Sequence, residues 1–105
     1  MPLLLAAVDA TSKGAQLMFM RSMAKELAPQ RTRVNCVAPG WTETDMAKSN
    51  PDFFEHLDEI AESIPLGRPG LPEDVGAAVS FLLSDLAPFI TGSTITVDGG
   101  FDMRG

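Results

Sequence analysis

Arg33-Val34-Asn35-Cys36-Val37-Ala38-Pro39-Gly40 reads as a short strand running into a turn, and that reading decides the fold. Val34, Cys36 and Ala38 alternate with Asn35 and Val37 at the two-residue period of a strand. Pro39 has no N–H to extend a ladder, so Pro39-Gly40 ends the strand in a turn. Apolar residues on both faces mean that the neighbours on each side matter.

On the amino-terminal side, good helix formers run from about Thr11 to Ala28, where Pro29 stops them. The apolar positions of that helix leave only a narrow polar stripe at Arg21, Ser22, Lys25 and Glu26, so it is expected to be covered on two sides. On the other side of the turn, Trp41 to Ile64 is acidic and reads as a loop plus one amphipathic helix from Pro51 or Asp52 to about Ser63. A third helix opens at Pro72, with Glu73 and Asp74 at its positive end. Its stripe is Val75, Ala78, Val79, Leu82, Leu83 and Leu86. Leu71, at its cap, offers no side-chain acceptor. Thr94-Ile95-Thr96-Val97 alternates as a last strand before Gly99-Gly100.

Helices alternating with strands imply crossover connections and a parallel sheet. The expected fold class is α/β, a partial Rossmann-like (doubly wound) arrangement of three helices and two or three parallel strands, with residues 1–105 as a single domain. Two strands are secure. The first would expose an edge unless Leu3 to Val8 or another chain covers it.

The 105 residues are 45% hydrophobic, enough for a packed core. Fourteen acidic against eight basic residues give a net charge of -6, which argues against a nucleic-acid partner. The one cysteine, Cys36, forms no internal disulfide and reads as a buried, inert thiol in a reducing compartment. Met1 to Val8 is apolar but lacks a basic flank and is too short to span a membrane, so a cytoplasmic protein with no membrane partner is expected.

Lys13-Gly14-Ala15, Arg33 to Gly40, Ile90-Thr91-Gly92 and Val97-Asp98-Gly99-Gly100, in that order and spacing, resemble the carboxy-terminal part of the short-chain dehydrogenase/reductase family. The resemblance runs from about Ala7 to Phe101 and covers less than half of a typical member. It implies an NAD(P)-dependent oxidoreductase that moves a hydride between nicotinamide and a carbonyl or alcohol. In that family a Tyr-x-x-x-Lys pair handles the proton, and the lysine also holds the nicotinamide ribose. Lys13 matches the lysine, but Asp9 stands at the tyrosine position and the chain contains no tyrosine at all. An aspartate is roughly 99.9% ionised at pH 7, and keeping it protonated there costs about 4 kcal/mol. Asp9 therefore reads as a helix cap or first-turn carboxylate paired with Lys13.

The resemblance also makes Pro39, Gly40, Thr42 and Thr44 cofactor-binding residues, beside Lys13. A Pro-Gly turn lets backbone approach the ring, and the two threonine hydroxyls can bond carboxamide or phosphate oxygens. Trp41 reads as a hydrophobic plug ahead of a pocket wall. No Gly-rich strand-to-helix turn for a pyrophosphate occurs in these residues. NAD or NADP binding by this chain alone is accordingly expected to be weak or absent, and the chain to be inactive by itself. Asp52, His56 and Glu59 share a helical spacing but read as a solvated face, with no metal. The competing expectation is a non-catalytic module, forming a homo-oligomer or joining a full-length relative through the helices that build subunit interfaces in the family.

Overall fold

The computed structural model describes the backbone of residues 3–103, and the side chains in that span except those of residues 3–11, 46, 47 and 53. The element order is α1 (Leu3–Leu27), β1 (Cys36–Pro39), α2 (Asp45–Lys48), α3 (Pro51–Glu55), α4 (Leu57–Ser63), α5 (Pro72–Leu83) and β2 (Thr94–Val97). β1 pairs with β2. The Cys36 N–H donates to Ser93 O and the Gly40 N–H to Val97 O, a constant offset along both strands that makes the pair parallel. The α/β class and its two parallel strands are as the sequence implies.

The described residues fall into two units: one up to Cys36 together with Phe89–Thr94, the other Val37–Pro88 together with the residues from Ile95 onward. In the first, α1 buries Met20 and Ala24, each 4% exposed, while Met18 and Phe19 are 60% and 68% exposed. The helix thus has one covered stripe, and the second covered side that its composition suggests stays open. Ala24 faces the Ile90–Ser93 segment: its Cβ would lie 3.6 Å from a Cβ built on Gly92. Asn35 ties that segment down, donating to Ile90 O at 3.0 Å and accepting from the Ser93 N–H at 3.0 Å. α1 ends in a short 3-10 turn at Ala28–Gln30, with Pro29 in its first turn and Arg31 in the left-handed region at φ 59°.

Leu3 to Val8 belongs to α1, so it supplies no strand over the edge of β1. The reason is compositional: a Leu and Ala run with no Gly or Pro after Pro2 is a strong helix former, and it simply continues into the next turns. Asp9 consequently lies in the body of the helix, whose first turn holds no acidic residue, and is neither a cap nor a first-turn carboxylate.

Among the described residues of the second unit, Ile64, Pro69, Leu82 and Ala87 are buried. The expected helix from Pro51 to Ser63 is pinched at His56, where φ -109° and ψ 15° leave the α region, giving α3 and α4. Both four-residue hydrogen bonds through His56 survive, to Asp52 O and from the Ile60 N–H, which is why periodicity alone reads one helix. α5 stops at Leu83 rather than Leu86 because Ser84 takes the extended conformation and its hydroxyl donates to Phe81 O. Leu83 and Leu86, expected in the buried stripe, are 78% and 79% exposed. Cys36 is half-buried rather than buried. Among the described residues no helix is long and apolar enough to cross a membrane.

Candidate functional site

The turn after β1 is built almost wholly from backbone. The Gly40 N–H donates to Val97 O at 3.0 Å, and the Thr42 hydroxyl folds back to Gly40 O at 3.0 Å. Trp41 O accepts from the Gly70 N–H at 2.7 Å, and the Glu43 N–H donates to Gly70 O at 2.8 Å. These two bonds flank Thr42 as a parallel bridge to Gly70. Thr44 O then accepts from the Lys48 N–H and starts α2.

Gly40 is a close-approach glycine. A Cβ there would lie 2.6 Å from Asp98 Cβ and 3.0 Å from Asp98 Cα, so no side chain fits without moving β2's exit. Asp98 is fixed in turn: its carboxylate accepts the Gly100 N–H at 2.9 Å and the Asp102 N–H at 3.0 Å. Gly99 and Gly100 take φ 63° and 90°, values that L side chains rarely adopt. This tight turn brings Phe101 back to the Pro-Gly turn.

The result is an open concave site of about 470 Å³ lined by Pro39, Gly40, Trp41, Thr42, Thr44 and Phe101. Trp41 is half-exposed on its wall, so the plug reading gives way to the wall reading. Sequence reasoning missed Phe101. The signal was the Asp98-Gly99-Gly100 run, whose two glycines turn the chain back. Pro39, Gly40, Thr42 and Thr44 come together here, in the second unit. Asp9 and Lys13 stand four residues apart on α1, in the first; Lys13 is exposed and the Asp9 side chain lies outside the described ones. His56 Nδ1 is 3.3 Å from a Glu59 carboxylate oxygen on an exposed helix face. Among the described residues no group of three His, Cys, Asp or Glu is placed to hold a metal.

A family model described as enoyl-(acyl carrier protein) reductase matches residues 5–102. The chain belongs to the short-chain dehydrogenase/reductase family. It is 48% identical over 90 residues to the 3-oxoacyl-[acyl-carrier-protein] reductase FabG of Aquifex aeolicus, covering 86% of this chain and 36% of that protein. Identity to the FabG of Chlamydia pneumoniae is 46% over 91 residues, covering 87% and 36%. A short-chain dehydrogenase/reductase structure from Brucella melitensis superposes with a TM-score of 0.81 at 40% identity, covering 90% of this chain and 37% of that one. The structure of YwfH, an NADPH dependent reductase, gives 0.77 at 31%, covering 88% and 38%. The chain thus spans little more than a third of the length of these relatives, and its α/β architecture is the Rossmann-like one they share.

Proposed function

We propose that residues 1–105 are the carboxy-terminal portion of an NAD(P)-dependent short-chain dehydrogenase/reductase, carrying the nicotinamide end of its site but not its proton donor. The observation that carries this is the Pro39–Thr44 turn. Gly40 is stripped of any side chain by Asp98, two threonines stand on the rim, and Trp41 and Phe101 offer flat apolar faces. Those features fit a planar carboxamide-bearing ring, with Thr42 and Thr44 as its hydrogen-bonding partners; Lys13, on α1, is assigned to the ribose only by its match to the family's lysine. The pyrophosphate end has no counterpart among these residues, which contain no Gly-rich strand-to-helix turn. When bound, the nicotinamide supplies or accepts the hydride.

Asp9, ionised at neutral pH beside a lysine at the fourth following position, cannot give a carbonyl oxygen the proton that tyrosine gives. These residues on their own therefore bind NAD or NADP weakly and do not reduce a ketone. The relatives' names make a 3-oxoacyl thioester the first carbonyl to try. A cytoplasmic setting goes with this reading. NADPH titrated to millimolar concentration should shift the amides of Gly40, Trp41, Thr42, Thr44 and Lys13 in fast exchange and leave α4 unmoved. Shifts that miss Gly40 and Thr42 would contradict the reading.

A second reading, a non-catalytic interaction module, is favoured by the apolar surface left open. Met18 and Phe19 on α1, Leu83 at the end of α5 and Leu86 just beyond it are all more than half exposed. The occupant would be a second copy or a full-length family member. Light scattering should find a dimer or larger; a cooperatively melting monomer would remove this reading.

A further inference from the structure

The bridge between Thr42 and Gly70 holds the candidate turn from behind, and the segment carrying Gly70 is itself tied at both ends to one carboxylate. On one side of Gly70, Arg68 Nη1 and Nη2 donate to Asp74 Oδ2 and Oδ1 at 2.8 and 3.2 Å, a two-pronged pair. On the other side the Leu71 N–H donates to Asp74 Oδ2 at 2.7 Å. Arg68 Nη1 also donates to Pro69 O at 3.0 Å, inside the same segment. Asp74 thus closes a ring around Pro69-Gly70-Leu71. The ring presents both polar groups of Gly70 to Trp41 and Glu43.

We propose that Asp74, acting through Arg68 and the Leu71 amide, is a positioning residue for the Pro39–Thr44 turn. It does not line the concave site. By fixing Gly70 it fixes the backbone of Trp41 and Glu43 on either side of Thr42, and so the direction of that hydroxyl. The cofactor half of the proposal rests on the turn being the nicotinamide contact; the structural half stands without it.

Amide hydrogen exchange on the full chain tests it. In Arg68→Ala and Asp74→Asn, where the Leu71 amide keeps an acceptor, Gly70 and Glu43 should exchange about 2- to 5-fold faster, the scale of an exposed ion pair. Asp74→Ala, which also removes the cap, should raise this to roughly 5- to 20-fold. Asp74→Glu, a good residue at the third helical position, should return the rates to within about 2-fold of the parent. The Cys36 and Gly40 amides, bonded to β2, should not change. No acceleration at Gly70 and Glu43, equal acceleration at Cys36 and Gly40, or a parent chain unprotected at all four would overturn the proposal. Titration with NADPH separates the two halves. If parent amides at Gly40 and Thr42 shift and the Asp74→Ala shifts are several-fold weaker, the cofactor role holds; equal shifts overturn that role. If the parent amides do not shift, the nicotinamide reading fails, and the exchange rates alone still decide the positioning role.

Discussion

On the proposed reading, the Asp9–Lys13 segment would owe its chemistry to one side chain, whereas the Pro39–Thr44 turn would owe it to backbone. The first segment is helical, has its lysine, and has an aspartate at the position matching the family's tyrosine. The second keeps its whole frame: a glycine with no room for a Cβ, a bridge to Gly70, and two hydroxyls on the rim. A function carried by a single titratable group is lost by one substitution that leaves the fold untouched. One carried by backbone is protected, because Gly40 at its head is also bonded to Val97 of β2.

The sharpest way to break this comparison is to restore the side chain. Residues 5–102 grafted in place of the matching part of a 3-oxoacyl-[acyl-carrier-protein] reductase should give a protein that binds NADPH with either residue at position 9. Asp9→Tyr in that graft should raise kcat for a 3-oxoacyl thioester by about 10²- to 10⁴-fold, the usual contribution of a placed general acid. Steady-state kinetics read the difference, and equal kcat values would show that Asp9 is not the missing donor.

Substituting the backbone-built region should act on stability instead. Gly40→Ala must push against Asp98 Cβ at 2.6 Å and should cost about 1–3 kcal/mol in a denaturant titration. The matching change beside Lys13 goes the other way. Nothing lies within 4 Å of a Cβ on Gly14, so Gly14→Ala should stabilise α1 by up to about 1 kcal/mol.

The smallest effect is a pH dependence. The Arg68 hydrogen bonds, and then the Leu71 amide, hold the Asp74 carboxyl at about 2 against an ordinary 3.8. A carboxylate with its folded value depressed stabilises fully above its unfolded value, and the contribution fades as pH falls toward the folded one. Protection of Gly70 and Glu43, relative to Cys36, should therefore be constant above about pH 5 and fall between about 4 and 2. Asp74→Asn should flatten that profile.

Much of the second unit was legible because its signals are local. Pro39-Gly40 announces a turn, Pro72 with Glu73 and Asp74 announces a helix start, and Thr94 to Val97 alternates. Leu71 looked anomalous as a cap because its side chain accepts nothing; its backbone carbonyl takes the Asp74 N–H at 2.9 Å, and the Asp74 carboxylate takes the Leu71 N–H at 2.7 Å. What stayed hidden was either ambiguous or non-local. The Leu3-Leu4-Leu5 run has no period that separates helix from strand. Phe101 reaches the site through two glycines at positive φ, far along the chain from Pro39. The bond between Trp41 and Gly70 joins loops that no periodicity connects. Trp41 was misread for a related reason: a lone aromatic after a turn looks buried until its neighbours are known.

Ketone-dependent oxidation of NADPH by the purified 105 residues tests the central claim most directly. The absorbance should stay flat with a 3-oxoacyl thioester at any chain concentration, for want of a proton donor at position 9 and a pyrophosphate-binding turn. Oxidation that rises in proportion to the chain, and vanishes on Lys13→Ala, would contradict it.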